Sequence, residues 1–278
     1  MKVNLICFSQ TGNTRKVAKA MAEIFNGSGH DVDLIPFKKA ESLHLTQTDL
    51  VGVGAPCFES QAPTPVRHWL QTLPDLHGRN AFVFSTSGGA PGRVLYDLAN
   101  PLMSKGASMA GGFLSRGECF HPIPCLVGRF PDRPNDQDLE AAKYFASSLI
   151  MHLAAGPCGP MPQTRPDAHR HGLGFYQIIG AMLKDPLVRL LMSKPAVNPD
   201  ICTQCGWCAK ECPTSSIAME PHPVVGDECI RCYRCYSGCP EKAFKQINWG
   251  ISNFMTWTLY NTTFERYLGD VKAGEAFY

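Results

Sequence analysis

Eight of the thirteen cysteines lie between Cys202 and Cys239 and form two copies of one pattern. Cys202, Cys205, Cys208 and Cys212 are followed by Pro213; Cys229, Cys232, Cys235 and Cys239 are followed by Pro240. Each run reads C-x-x-C-x-x-C-x-x-x-C-P, and the second repeats the first at an offset of 27 residues, with Ile217 matching Phe244 behind each run. A secreted disulfide framework would call for a signal peptide, whereas Met1 to Ser9 reads as a strand. Structural zinc takes four ligands, usually from C-x-x-C pairs, and does not require two duplicated quartets with trailing prolines.

The spacing has a physical reason. Two intervening residues let a looped backbone aim three successive thiolates at three corners of one cubane, with backbone N–H groups turned toward its sulfides. The fourth cysteine points away to the other cluster. By that pattern Cys202, Cys205, Cys208 and Cys239 hold one [4Fe–4S] cluster, and Cys229, Cys232, Cys235 and Cys212 hold the second. The fourth cysteine is expected to start a helix, with the prolines opening short helices. Over about fifty residues the segment resembles the bacterial-type ferredoxins. That resemblance implies a small α+β domain built around two clusters, one-electron transfer at low potential, and an anaerobic or microaerobic cell.

The rest of the chain reads differently. Residues 1–155 alternate strand and helix patterns. Strands are predicted at Val3–Phe8, Asp31–Phe37, Leu50–Ala55, Ala81–Phe84 and Ser108–Leu114. Helices are predicted at Arg15–Phe25, Pro65–Leu73, Gly92–Ser104 (kinked or shortened by Pro101) and Asp136–Leu153. Five strands alternating with helices imply an α/β fold, a doubly wound parallel sheet covered on both faces, with ligands at the carboxyl ends of its strands. Residues 156–197 read as a Pro-rich linker with a short helix near Phe175–Met192. Residues 198–247 are the cysteine module, and 248–278 form an aromatic tail expected to pack on the body. Net charge is +2, so nothing points to nucleic acid or anionic membrane. No run of about eighteen apolar residues exists, so no spanning helix is expected. Unpaired thiols and metal-binding cysteines suggest a cytoplasmic setting.

Strand one runs into Ser9-Gln10-Thr11-Gly12-Asn13-Thr14, which opens the first helix. A helix N-terminus offers unpaired N–H groups and a positive dipole end, so it suits a phosphate. The G-x-x-x-x-G-K pattern of ATP and GTP sites is missing. A plain helix cap is the alternative for this loop alone, but two further loops fall at the same sheet edge: Ala55–Gln61 after strand three and Ser85–Gly92 after strand four. Together these stretches resemble the flavodoxin family over about 150 residues. The resemblance implies FMN, with its phosphate at Ser9, Thr11, Gly12, Asn13 and Thr14. Its ring would lie against Pro56, Cys57 and Phe58 and against Thr86, Ser87, Gly88 and Gly89. Flavodoxins commonly sandwich the ring between aromatics from both loops, yet here Phe58 stands alone and the second loop has none. One ring face is then open, or covered by the cysteine module. Carrier flavodoxins are also strongly acidic, and this domain is near neutral.

Other residues admit two readings. Cys57 is a redox-active thiol or a small pocket residue. His121 is a proton donor, the weak catalytic candidate, or an ordinary loop histidine. Cys7, Cys119, Cys125 and Cys158 read as structural, and His169, Arg170 and His171 as a docking patch or a solvated loop. The combined reading is electron transfer between two [4Fe–4S] clusters and FMN, serving a redox protein donor or acceptor. The alternative is an FMN-dependent reductase of a small-molecule acceptor such as a quinone, a corrinoid or an organic sulfur compound. Whether the chain is an enzyme in its own right stays open at this stage, and a redox-sensing regulator has no DNA-binding feature behind it.

Overall fold

The computed structural model describes residues 1–42, 45–89, 91–124, 126–155, 192–247, 249–259 and 275–277. The linker helix near 175–192, the basic patch at 169–171, Cys125, Cys158 and the tail aromatics Tyr260, Phe264 and Tyr267 lie outside the described residues; of the others, Trp249 is buried, whereas Phe254 and Trp257 are exposed. None of the described helices is long and apolar enough to cross a membrane.

The first domain is a parallel sheet of order β2-β1-β3-β4-β5. Its strands are β1 (Lys2–Cys7), β2 (Asp31–Pro36), β3 (Leu50–Pro56), β4 (Asn80–Ser87) and β5 (Ser108–Arg116). Helices α1 (Asn13–Gly27) and α4 (Asp136–Ala154) contribute to one apolar layer, and α2 (Thr64–Thr72) and α3 (Val94–Ser104) to the other. The inner strands are buried on both faces, which is why β3 reads as a continuous apolar run rather than an alternating one. Gly52 and Gly54 matter there: a Cβ on either would come within 2.6 and 2.1 Å of the Phe82 and Phe84 rings of β4. Small residues on β3 thus let two large rings of the next strand fold over it.

Several boundaries differ from the sequence reading. Helix α1 starts at Asn13, two residues early. Helix α3 starts at Val94 and runs through Pro101, which has no N–H to give to the preceding turn. Helix α4 opens with a capping box, Asn135 and Asp138 each accepting from the other's backbone N–H. A short strand, β8 (Glu275–Phe277), adds antiparallel to β5 at the sheet edge; no pattern in three residues announces such a strand.

The cysteine module holds α5 (Trp207–Glu211), the hairpin β6 (Ile217–Glu220) and β7 (His222–Val225), and α6 (Arg234–Gly238), followed by α7 (Gly250–Leu259). The internal repeat shows in the pairings: Ile217 pairs with Val225, and Phe244 bridges to Val197. The short helices precede the fourth cysteines instead of following them. Gly206 and Tyr233, at φ 72° and 53°, turn the chain into α5 and α6, which carry Cys208 and Cys235. Cys212 and Cys239 end those helices in extended conformation, because a residue before proline is driven out of the helical region.

Candidate functional site

The loops after β1, β3, β4 and β5 meet at one edge of the sheet. The turn after β1 passes through Gly12 at φ 104°, with nothing within 4 Å of where a Cβ would stand, and α1 begins with no side-chain cap. Its first N–H groups therefore face an open cradle of the kind that suits an anion. Thr11 is exposed, and Ser9 Oγ accepts from the Arg15 N–H at 3.2 Å. Asn13 and Thr14 are buried and tie loops together: Asn13 Nδ2 donates to the Glu118 carbonyl at 3.1 Å, and the Thr14 and Thr86 hydroxyls lie 2.8 Å apart.

After β3, Phe58 and Gln61 close a tight turn through Glu59 and Ser60, both at positive φ. The Phe58 ring meets Phe8 edge-on at 6.2 Å. Gly92 packs so close to Ser60 that a Cβ would lie 2.3 Å from its carbonyl oxygen. Gly88 presses on Cys119 in the same way. In the β4 loop the Ser87 hydroxyl donates to the Gly89 carbonyl at 2.9 Å, and that oxygen also accepts from Arg116 at 2.7 Å. Cys57 donates from Sγ to the Pro91 carbonyl at 3.4 Å, and burial pushes its thiol up to about 12. It is a protonated pocket residue at neutral pH rather than a reactive thiolate. Burial pushes Cys7 to about 12 as well.

His121, after β5, sits in a box of aromatic rings, 4.9 Å from Tyr233 and 5.7 Å from Trp249. Nδ1 faces the Ile123 N–H at 3.5 Å, and Nε2 has no partner among the described residues. Burial pushes the ring down to about 4, so it is neutral at physiological pH. A ring so placed stores no proton ready for release near neutrality.

The two cysteine quartets line two separate hollows. Cys202, Cys205, Cys208 and Cys239 line one, beside Trp207, Met219 and Phe244. Cys212, Cys229, Cys232 and Cys235 line the other, beside Ile217, Ile230 and Arg234. Each hollow thus takes three cysteines from one run and the last from the other. Arg234 joins them: it lines the second hollow, lies 5.8 Å over the Trp207 ring of the first, and pairs with Glu211.

The second hollow abuts the sheet-edge loops. Gln10 donates to the Cys232 carbonyl, and Ile230 packs on the same apolar layer as Cys57 and Phe58. Tyr233, fully buried, meets His121 and Trp249 edge-on, and its hydroxyl donates to the Ser193 carbonyl at 2.7 Å. Ser237 donates to the Phe120 carbonyl at 3.1 Å, and Lys38 to that of Lys210 at 2.8 Å. Gln10 in this role, Ile230 and Tyr233 escaped the sequence reading, since no local pattern marks a residue whose role is to meet another domain; Trp249 belongs to the aromatic tail expected to pack on the body.

Family models match the chain in two places: a flavodoxin domain over residues 5–110 and a 4Fe–4S dicluster domain over residues 194–241. The chain joins a flavodoxin domain to a dicluster domain. An uncharacterized protein of Methanocaldococcus jannaschii is 28% identical over 141 residues, 50% of this chain and 90% of that one. A flavodoxin of Clostridium saccharobutylicum is 25% identical over 124 residues, covering 42% and 78%. Solved structures similar to the flavodoxin domain include Flavodoxin 2 of Bacillus cereus, with TM-score 0.44, 19% identity, and coverage of 54% of this chain and 99% of that one. A flavodoxin from the domain Archaea has TM-score 0.43 and 17% identity, covering 55% and 99%.

A flavodoxin domain implies FMN, and the dicluster domain implies [4Fe–4S] clusters. The residues fit both. The open space at Gly12 and the start of α1, whose N-cap residue has no side chain and whose Arg15 N–H meets the Ser9 hydroxyl, suit a phosphate. Among the described residues no three His, Cys, Asp or Glu side chains converge on a single ion; the thiols instead surround hollows. Burial pushes Cys232 up to about 12 and Cys235 upward too, so thiolates there need the positive charge of iron. Cys212 goes the other way: burial raises it, but Ser216 and Thr214, through hydroxyls and backbone N–H groups, outweigh that and hold it low. Hydrogen bonds to a cluster thiolate are one of the means by which a protein tunes cluster potential.

Proposed function

We propose that the chain is an electron-transfer protein, exchanging electrons with an outside redox protein and carrying them between its clusters and FMN. One observation carries the reading: the Cys229–Cys235 run packs on the flavodoxin loops through Gln10, Ile230 and Tyr233. FMN takes up one or two electrons and a cluster one at a time. The chain's own residues bind, orient and insulate.

In this reading Ser9, Thr11, Gly12, Asn13 and Thr14 form the phosphate turn. Asn13 and Thr14 act mainly by bracing it through Glu118 and Thr86, leaving Ser9, Thr11 and the backbone N–H groups to the phosphate. Pro56, Cys57 and Phe58 flank one side of the ring site, and Thr86, Ser87, Gly88 and Gly89 another. Each hollow's quartet holds one cluster. The module lies against the β1 turn and the β3 side of this site through Gln10 and Ile230, which favours a relay over a reductase open to small substrates. His121, neutral at physiological pH, would not serve a small-acceptor reductase as a charged proton donor.

Protein purified without oxygen should carry eight irons, eight sulfides and one FMN per chain. On rapid mixing with a reduced bacterial two-cluster ferredoxin, cluster absorbance should bleach first and FMN afterwards. Bleaching of FMN ahead of the clusters, or faster oxidation by a small quinone than by any carrier protein, would overturn the proposal.

A further inference from the structure

We infer that the two clusters stand in a fixed order. The one held by Cys202, Cys205, Cys208 and Cys239 is the port to the outside protein, and the one held by Cys212, Cys229, Cys232 and Cys235 is the internal relay to FMN. The inference rests on the electron-transfer reading above and goes further by giving each quartet its own task.

The two hollows are built from copies of one motif, yet their surroundings differ. In the relay quartet every cysteine is buried, at 8 to 9% exposure. In the port quartet Cys205 is exposed, Cys202 and Cys239 are half-buried, and Cys208 alone is buried. Ile201, 48% exposed, immediately precedes the port run, and Val224, 51% exposed, follows the hollow-lining Pro223. Electron exchange between proteins requires a close approach of cofactor edges, which an exposed ligand permits and a buried one blocks.

The relay quartet is buried by the flavodoxin domain as well as by its own module. Gln10, from the phosphate turn, bonds the Cys232 carbonyl, and the neighbouring Ile230 and Tyr233 both pack on flavodoxin residues. Buried Arg231, bonded to the carbonyls of Met192 and Cys229, brings a positive charge beside this quartet. A negatively charged cluster enclosed in low dielectric needs such compensation. Trp207 and Arg234, in contact, separate the two hollows and link them.

Each passage moves one electron. With both clusters and FMN bound, an outside donor would lose that electron by way of the Cys202, Cys205, Cys208 and Cys239 quartet and then the Cys212, Cys229, Cys232 and Cys235 quartet; two passages would supply the two electrons that FMN takes up together with two protons from solvent. With an oxidised partner the same order runs outward.

The test uses anaerobic holoprotein treated with limited ferricyanide and a ferrous-iron chelator. Iron should leave in two phases of equal amplitude. Cys205→Ser protein should retain mainly the slow phase, and Cys232→Ser protein mainly the fast one. Because ligand variants can fail to fold, Ile201→Glu/Val224→Glu supplies a second route. With reduced bacterial ferredoxin as donor, it should slow cluster bleaching at least tenfold while the later FMN step keeps its rate. Ile230→Ser should slow the FMN step and spare the first. A single phase of iron loss, or reversed effects of the Ile201→Glu/Val224→Glu and Ile230→Ser variants, overturns the order. Protein that lacks FMN or the eight irons instead defeats the underlying electron-transfer reading.

Discussion

The side-chain amide of Gln10 donates to the backbone carbonyl of Cys232. One residue belongs to the turn proposed to hold a phosphate, the other to a proposed cluster quartet, and 222 positions separate them. This bond and the packing of Ile230 and Tyr233 place a cluster hollow against the flavodoxin loops.

Gln10→Ala removes that bond and leaves the Cys232 carbonyl without it. A hydrogen bond of this kind is worth about 1 kcal/mol net. Urea unfolding of the holoprotein should show a loss of that size, with FMN bound up to about fivefold more weakly in a fluorescence titration. Unchanged FMN affinity would mean that the contact does not support the flavin site.

Gly238 packs against Trp207: a Cβ there would lie 2.0 Å from the ring. Gly238→Ala should cost about 1–3 kcal/mol through overpacking and lower the iron retained after purification. Trp207→Leu should relieve the clash, so that the double variant is more stable than the sum of the two single losses implies. Additive losses would contradict the contact.

Arg133 pairs with Asp138, whose side chain is fully buried at the start of α4. The bond to Asp138 holds the Arg133 guanidinium above its usual range. Arg133→Met leaves the carboxylate with the Asn135 N–H but without its counter-charge, and because the arginine side chain is 21% exposed, water offsets part of the loss. A drop of about 2–3 kcal/mol is expected in urea unfolding, below or at the low end of the range for fully buried pairs.

His121 gives the native state a pH dependence. Its pKa lies near 4 in the folded protein, lowered by burial, against an ordinary value of 6.5. Between those values the unfolded chain binds a proton that the native ring refuses, so stability falls as pH is lowered. The contribution is whole above about pH 6.5 and is lost toward pH 4, at most about 3 kcal/mol. His121→Phe should flatten the slope of unfolding free energy between pH 6.5 and 5; an equal slope in both proteins would refute the assignment.

The parts legible from sequence are those whose physics is local. A cluster motif needs thiols at set spacings, and a phosphate turn needs a strand, a glycine at positive φ and a helix start. Both lie within about a dozen residues, so Cys202–Cys212 and Ser9–Thr14 could be read directly. Parallel pairing followed from alternating strand and helix patterns, because parallel strands need crossovers, whereas the order β2-β1-β3-β4-β5 came from the structure. Helix edges were less legible: α5 and α6 precede the fourth cysteines because Gly206 and Tyr233 bend the chain earlier than the prolines suggested.

Sequence alone determined the two cofactor classes and the α/β sheet, since thiol spacing, loop chemistry and apolar period act over short stretches. Only the tertiary structure decided which cysteine quartet is buried and which is exposed. The two runs are near copies, and no local rule tells them apart. Their difference arises where Gln10, Ile230, Tyr233 and Trp249 meet across the domains, because burial depends on what the rest of the chain brings alongside.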